Sequence, residues 1–186
     1  MKFKLGKYQI RLSNQNHFSP GSADNADHFA KIYSLDEDYE NSTQIGIQIF
    51  DNDEIVSSAM IGATGGASGI HKTSQIVKGN RITICCSDTV FCLSIPELEL
   101  NWKIKSDEAT CFEIFELKED YIVHGELEIS RISWNGEIVW QRAGADIFTT
   151  LEGKDDDFLV AEDSIIATDW ENRKYRFDFD GNEIRT

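Results

Sequence analysis

The sequence has few basic residues and no long hydrophobic run, and both shortages exclude classes of function. Lysine and arginine number 18 against 33 aspartates and glutamates, which gives a formal net charge of −15. A nucleic-acid surface needs a basic footprint to displace counterions, and docking onto anionic lipid needs one as well. No apolar stretch approaches the roughly 20 residues of a membrane-spanning helix. We therefore expect neither a nucleic acid nor a membrane as the partner.

The first residues also lack the pattern of an export signal. Residues 1–11 alternate basic and apolar side chains, with no continuous apolar core and no small-residue cleavage site. This segment is typical of a first β-strand. We expect a cytoplasmic location.

Cysteine is scarce, and the four residues of this type are not spaced as metal ligands. Cys85, Cys86, Cys92 and Cys111 lie in strand-like apolar runs, where a reduced thiol behaves as a small hydrophobic side chain. Adjacent residues on a strand point to opposite faces, so we expect no disulfide between Cys85 and Cys86. No pair of cysteines or histidines has the C-x2-C or H-x3-H spacing of a zinc site. The sequence predicts buried free thiols, no metal and no cofactor.

Alternation of apolar and polar residues runs through the chain, and helical periodicity is almost absent. Gly, Asn, Asp or Ser bound the short strands, and the pairs Asn135-Gly136 and Asp180-Gly181 are typical of tight hairpins. Residues 13–27 are polar and predict a long mobile loop. No linker divides residues 1–186, so we expect a single all-β domain. Among the predicted strands are residues 3–12, 29–35, 146–151 and 182–184.

A strand–turn–strand unit closed by tryptophan occurs twice. Residues 89–102 and 127–140 carry it, so the closing tryptophans lie 38 residues apart (140 minus 102), and residues 175–184 form a fainter copy. A period near 40 residues built of short strands is typical of propeller blades, because each small sheet must stack on a neighbour to bury its faces. The length leaves room for about four such blades. We expect a small β-propeller-like toroid of about four short antiparallel blades.

The repeated unit resembles the repeat of quinoprotein-type (pyrroloquinoline-quinone-like) β-propellers. The resemblance covers about residues 81–186 and rests on residues 90–104 and 129–140, with Gly136 in the turn of the second copy. It implies four-stranded blades whose tryptophan packs between neighbouring blades. Quinone-dependent dehydrogenases of this kind bind calcium and their cofactor at the channel mouth. Such repeats also occur widely in non-catalytic scaffolds, so the family's activity is not transferred to this chain.

Five residues are candidates for a binding site at the mouth of the predicted toroid: His71, His124, Glu126, Asp107 and Asp146. Residues 66–73 differ from a phosphate-binding loop, because His71 replaces the glycine before lysine and a strand follows instead of a helix. His124 ends a predicted strand and Glu126 follows it, at a rim where propellers bind partners. The alternative is that His124 is a structural residue with satisfied hydrogen bonds. Asp107 and Asp146 follow the two closing tryptophans at nearly equal distances, which predicts that they ring one face. The alternative is that these aspartates cap loops.

The lack of a complete catalytic set, the acidity and the repeat architecture favour a non-enzymatic cytoplasmic scaffold that binds another protein. Acidic clusters at 36–38, 51–54 and 152–157 give an acidic surface, which either steers a basic partner or keeps an all-β surface soluble. One specific version is an immunity or antidote protein that masks a basic toxin. The alternative is a small-ligand- or metal-binding enzyme with its site near His71 and His124.

Overall fold

A computed structural model of the protein describes residues 1–15, 17–34, 41–150 and 157–184. The predicted acidic clusters at 36–38 and 152–156 lie outside these ranges, as do Leu35 and Leu151 at the ends of two predicted strands. Within the described ranges the chain forms sixteen strands and no helix, so the all-β prediction is confirmed. The strands are β1 (Lys2–Leu5), β2 (Tyr8–Asn14), β3 (Lys31–Ser34), β4 (Thr43–Asp51), β5 (Glu54–Ala63), β6 (Gln75–Lys78), β7 (Arg81–Cys86), β8 (Thr89–Ser94), β9 (Leu100–Lys105), β10 (Cys111–Leu117), β11 (Asp120–Gly125), β12 (Glu128–Ile132), β13 (Ile138–Ala143), β14 (Phe158–Val160), β15 (Ile165–Thr168) and β16 (Lys174–Phe177).

The strands form four small sheets in chain order. The first has the order β1-β2-β4-β5-β3, the second runs β6 to β9, the third β10 to β13 and the fourth β14 to β16. An isolated bridge between Phe177 and Glu183 extends the fourth sheet. Neighbouring strands are antiparallel except β3 and β5, which are parallel. This pair differs because β3 lies in the segment between β2 and β4, residues 15–42, which we call the excursion. From there β3 joins the free edge of β5.

Apolar side chains join each sheet to the next one along the chain. Ile47 and Ile84 belong to a cluster shared by the first and second sheets. Val90 and Val123 belong to another, shared by the second and third sheets, and strands of the third and fourth sheets share a third cluster. Burying one such side chain stabilises the fold by roughly 1.5–3 kcal/mol. Stacking of sheets, in addition to strand pairing, therefore holds the molecule together.

The four cysteines lie in these packed strands. All are buried, as predicted, and none is in a disulfide. Burial is the main cause of the raised pKa of each thiol. At neutral pH they are uncharged side chains of the core.

The tryptophan that closes each repeated unit inserts into a turn of the next sheet. Trp102 Nε1 donates to the carbonyl oxygen of Trp134 at 3.0 Å, and Trp140 Nε1 donates to that of Phe179 at 2.9 Å. The glycine of each turn lies against the indole, and a Cβ atom added to Gly136 would lie 2.5 Å from Trp102. The repeated unit is therefore a joint between sheets, in which the apolar indole packs against the turn and its N–H makes one hydrogen bond.

A tyrosine makes the corresponding joint between the first and second sheets. Tyr33 in β3 donates its hydroxyl to the carbonyl oxygen of Leu98 at 3.0 Å, in the turn between β8 and β9. Lys31 Nζ donates to the carbonyl oxygen of Glu97 in the same turn at 2.6 Å. The inserted strand β3 thus occupies the place that a tryptophan-bearing strand occupies elsewhere.

Many predicted strands differ from the structure by one or two residues at their ends, and three differ by more. Residues 3–12 form two strands, because Gly6 has a φ of +58° and a turn pairs Leu5 with Tyr8. Residues 146–150 form a loop, because their backbone groups bond to other loops instead of to a strand. Residues 182–184 contribute a single bridge.

The predicted polar loop at 13–27 packs over the first sheet. Its first two residues belong to β2. Gln44 Nε2 donates to the carbonyl oxygen of Phe18 at 3.1 Å, and the rings of Phe18 and Phe29 meet edge to face at 5.4 Å. Gly46 leaves the space that Phe29 fills above β4. The excursion covers the face of the sheet that points away from the second sheet, and its mobility stays a prediction.

Candidate interaction face

Connections at one edge of the stacked sheets form a hydrogen-bonded layer. Because consecutive strands of a meander run in opposite directions, their connections alternate between two edges. One edge, which we call the loop face, is formed by the links 64–74, 106–110 and 144–150 and by the turns 87–88, 126–127 and 169–173.

Backbone bonds connect this layer in a pattern that repeats from sheet to sheet. In the third sheet, the N–H of Glu126 donates to the carbonyl oxygen of Thr110 at 2.7 Å. One sheet later, the N–H of Trp170 donates to the carbonyl oxygen of Ile147 at 2.9 Å. Between them, the N–H of Phe148 donates to the carbonyl oxygen of Glu126 at 2.7 Å. Paired backbone groups of this kind hold the loops in one arrangement.

Asp107 fixes two of these connections with one carboxylate. Its Oδ1 accepts the N–H groups of Ala109 and Thr110 at 2.6 and 3.1 Å. Its Oδ2 accepts those of Leu127 and Glu128 at 2.9 and 2.8 Å. The residue is only 1% exposed. These contacts match the alternative that the sequence left open, in which the aspartate caps loops.

All five residues singled out in the sequence lie on or just beneath the loop face. His71, Asp107, Glu126 and Asp146 belong to its links and turns, and His124 lies near the end of β11. Asp146 Oδ1 accepts the N–H of Ile147 at 2.8 Å. The side chains of Asp107 and Asp146 therefore serve the loops themselves, while those of His71 and His124 belong to a second arrangement.

A chain of polar contacts connects His71 with His124. Thr73 Oγ1 lies 3.2 Å from His71 Nδ1 and donates to Glu113 Oε1 at 2.6 Å. Glu113 Oε2 lies 2.9 Å from His124 Nδ1. On the other side of the ring, His124 Nε2 lies 2.7 Å from the carbonyl oxygen of Phe148. The chain crosses from the link before β6, through β10 and β11, to the link after β13.

Thr73 and Glu113 were not identified from the sequence. The sequence signal that could have identified Glu113 is its position as a charged residue inside a mostly apolar strand. The pairing of β10 with β11 shifts register between Cys111 and Glu113, and such a bulge changes the direction of a side chain. Burial alone would raise the pKa of Glu113, but hydrogen bonds from His124 and Thr73 outweigh it and the pKa is lowered.

The ring of His124 is enclosed by aromatic side chains. It stacks on Phe158 of β14 at 4.1 Å between centroids and meets Phe112 edge to face at 5.5 Å. The residue is 8% exposed. His124 thus joins the third sheet to the fourth by both stacking and hydrogen bonding, whereas His71 is exposed.

Two large apolar side chains project from corresponding turns of the loop face. Leu127 is 37% exposed and Trp170 is 39% exposed. Leu127 follows Glu126, and the 144–150 link bonds to both turns. Most other aromatic residues of the third and fourth sheets pack in the core, so Trp170 is unusual in facing solvent.

The described residues contain no group of three or more His, Cys, Asp or Glu side chains that is placed to hold a metal ion. They also contain no helix with the length and apolar character of a membrane span.

The fold is similar to that of solved β-propellers. BamB from Moraxella catarrhalis matches with a TM-score of 0.52 and 16% identity, over 75% of this chain and 42% of that chain. The computationally designed Ika4 protein gives a TM-score of 0.49 at 8% identity, over 64% of this chain and 76% of that chain. The AfRom2 CNH domain gives a TM-score of 0.48 at 11% identity, over 79% of this chain and 48% of that chain.

At such low identity the likeness to BamB shows the fold alone. The chain has a β-propeller-like fold of small sheets, as predicted, and it spans less than half the length of BamB. The more specific likeness to a quinoprotein repeat stays a prediction. Comparison of the sequence with family models and with curated proteins finds no match.

Proposed function

We propose that the protein is a non-enzymatic binding scaffold that docks a basic protein through its loop face. The observation that carries the proposal is the placement of Leu127 and Trp170 on corresponding turns of adjacent sheets. Exposed side chains of tryptophan in particular supply much of the binding energy at protein interfaces. Because backbone bonds already hold these turns, little conformational entropy is lost when a partner binds.

The charge around these side chains favours a basic partner. Glu108 and Glu171 are exposed on the same face, in a protein with a net charge of −15. Burial, together with the nearby carboxylates of Asp107 and Glu108, raises the pKa of Glu128. Lys105, which bonds to Glu108 at 2.7 Å, acts in the opposite direction, so the carboxylates of Asp107, Glu108 and Glu128 outnumber the lysine beside them. A basic surface placed over the loop face would reduce that repulsion and increase the rate of association.

A specific form of this proposal is an immunity or antidote protein that masks a basic toxin in the cytoplasm. Acidic inhibitors suit this task because long-range attraction speeds the capture of a basic protein. The sequence features that support it are the acidity and the expected cytoplasmic location.

The proposal is tested with a displayed library of small proteins whose isoelectric points exceed about 9. We expect binders whose affinity falls about tenfold or more between roughly 50 and 200 mM salt. Replacing Leu127 and Trp170 together with alanine is expected to weaken binding by about 2 kcal/mol, which is roughly thirtyfold.

The matched control replaces two apolar residues that are at least as exposed but lie away from the loop face. Ile55→Ala with Val139→Ala removes side chains that are 53% and 50% exposed, on β5 and β13. We expect unchanged affinity. Failure to find any salt-sensitive basic binder would contradict the proposal, and so would an equal loss of affinity in the control.

A second candidate function rests on the contacts that connect His71 with His124. A carboxylate and a hydroxyl between two imidazoles can bind a small ligand or move a proton, which corresponds to an enzyme or a ligand-binding protein. Thermal unfolding in the presence of a panel of metabolites and divalent metals tests this. A shift that is lost in His71→Ala and His124→Ala supports the candidate, and a panel without any shift removes it.

A further inference from the structure

His124 lies between two hydrogen-bond acceptors. Its Nδ1 faces the Glu113 carboxylate at 2.9 Å and its Nε2 faces the Phe148 carbonyl oxygen at 2.7 Å. Neither acceptor has a hydrogen to offer when Glu113 is ionised, as its lowered pKa implies. Both contacts are therefore hydrogen bonds only when both ring nitrogens carry hydrogen, so the geometry describes an imidazolium ring.

Loss of one proton leaves a choice between the two nitrogens. A hydrogen bond to a carboxylate is roughly twice as strong as one to a neutral acceptor. The neutral ring therefore keeps its hydrogen on Nδ1, towards Glu113. Nε2 then presents a lone pair to the Phe148 carbonyl oxygen, and two lone pairs at 2.7 Å repel each other.

The groups around the ring support this assignment. From β10 come Glu113 and Phe112, and from β14 comes Phe158. The 144–150 link contributes the Phe148 carbonyl oxygen, and the 64–74 link contributes His71 through Thr73. Glu113 is the one charged side chain that bonds to the ring in the described ranges. The carboxylate thus decides which bond survives.

The contact that is lost holds a part of the loop face. The 144–150 link is attached by the His124 bond to the Phe148 carbonyl oxygen, and the neighbouring Ile147 carbonyl oxygen accepts the N–H of Trp170. Movement of the link changes the position of the turn that carries Trp170. Histidine is the side chain that most often changes its charge between about pH 5 and 8.

We propose that protonated His124 latches the 144–150 link onto the third sheet, and that loss of this proton removes the latch and loosens the link and the turn of Trp170. The bond from the Phe148 N–H to the Glu126 carbonyl oxygen and the buried Phe148 ring still hold the link to the sheets. The link is then held by one more hydrogen bond while the ring carries both hydrogens than after it has lost one. The consequence for partner binding rests on the function proposed above, whereas the latch itself is a property of the free protein.

The test uses nuclear magnetic resonance on the full chain without a partner. Across a pH titration we expect the nitrogen shifts of His124 to pass from those of a doubly protonated to those of a singly protonated ring as the link loses protection. The amide protection factors of Phe148 and Trp170, corrected for the intrinsic pH dependence of exchange, are expected to fall about tenfold between roughly pH 6 and pH 9.

Glu113→Gln separates the latch from a merely structural role. The glutamine amide donates to Nδ1 and its oxygen still accepts from Thr73, so the neutral ring keeps its hydrogen on Nε2. We expect the link to stay protected at both pH values in this variant. His124→Phe, which has no donor, is expected to be unprotected at both, and the distant exposed His28→Gln to behave as the unmodified protein.

Three results would overturn the latch: a singly protonated ring while the link is fully protected, protection factors that do not change with pH, or a Glu113→Gln variant as pH-sensitive as the unmodified chain. The first two measurements need no variant, so a His124→Phe chain that fails to fold does not weaken the test. Because no partner is present, the outcome is independent of the binding screen.

Discussion

At the scale of single residues, a carboxylate that accepts four backbone N–H groups has a larger structural role than one that accepts the N–H of the next residue alone. Asp107 is buried and links two connections of the loop face, while Asp146 is half-buried and bonds to the next residue. From the sequence we expected equivalent positions for these two aspartates, because they follow the closing tryptophans at similar distances. Their surroundings make one a structural centre and the other a local cap.

We expect Asp107→Ala to reduce the free energy of unfolding by about 3–5 kcal/mol, because it leaves buried N–H groups without an acceptor. Asp146→Ala removes one bond at a half-buried site and should cost less than about 1 kcal/mol. Urea denaturation followed by tryptophan fluorescence measures both. Similar losses in the two variants would contradict the role assigned to Asp107.

At the scale of elements, the contact between a tryptophan and the next turn depends on the absence of a side chain in that turn. Gly136 has a φ of +84° and lies against the indole of Trp102, and Gly181, with a φ of +80°, lies against Trp140 in the same way. Both requirements, a left-handed backbone and a close approach, act at the same residue. Gly79 has a similar φ of +60° but open space around it.

Gly136→Ala is expected to destabilise the protein by about 3 kcal/mol or more, because the strain of a positive φ adds to a clash with Trp102. Gly79→Ala carries the backbone strain alone and should cost about 1 kcal/mol. The difference between the two thermal midpoints isolates the contribution of the joint. Equal midpoints would mean that the indole moves aside at little cost.

At the scale of the whole molecule, folding lowers the pKa of some acidic groups and raises the pKa of others. Burial acts to raise the pKa of Asp169, but bonds from Arg173 and Tyr175 outweigh it and the pKa is lowered. The pKa of Glu113 is lowered for a similar reason. A group of this kind stabilises the fold above its unfolded pKa, near 4, and the contribution is lost as the pH falls through the folded value. Glu128, whose pKa is raised, acts in the opposite direction.

We therefore expect a steep loss of stability below about pH 4. Asp169→Asn should lower the free energy of unfolding at neutral pH by about 2 kcal/mol and flatten this acid limb, because the carboxylate is fully buried and bonded to Arg173 and Tyr175. Denaturation curves at a series of pH values give the slope. Asp53→Asn, in an exposed turn, serves as the control and should keep the original profile.

Local patterns predicted the fold better than the site. Alternation identified most strands, and the spacing of Trp102 and Trp140 identified the joints, because both signals depend on neighbours in sequence. Tyr33 was not recognised as a joint, since its partner Leu98 lies in another sheet and its strand is inserted into an excursion. The break at Gly6 was missed because one glycine within an alternating run is a weak signal.

The candidate residues lie at one edge of the sheets, but their contacts were not predicted, and their role in binding stays a prediction. Thr73 and Glu113 lie 40 residues apart (113 minus 73) and meet through sheet stacking. A bulge then turns Glu113 towards His124. Nothing in the local sequence of either residue encodes that meeting, so the sequence identified both histidines without the groups that join them.

The joint formed by Tyr33 has a consequence for how such chains change over time. Trp102, Trp140 and Tyr33 each offer a flat ring with a single donor to a carbonyl oxygen of the next turn. The receiving turns accept either kind of ring, although the strands that supply it differ in direction and origin. One sheet can therefore be duplicated, lost or replaced without loss of the joint. The requirement is that an aromatic side chain of the neighbouring sheet still reaches the turn and donates to its carbonyl oxygen. We expect a chain of this construction to tolerate a change in the number of its sheets as long as this connector is kept.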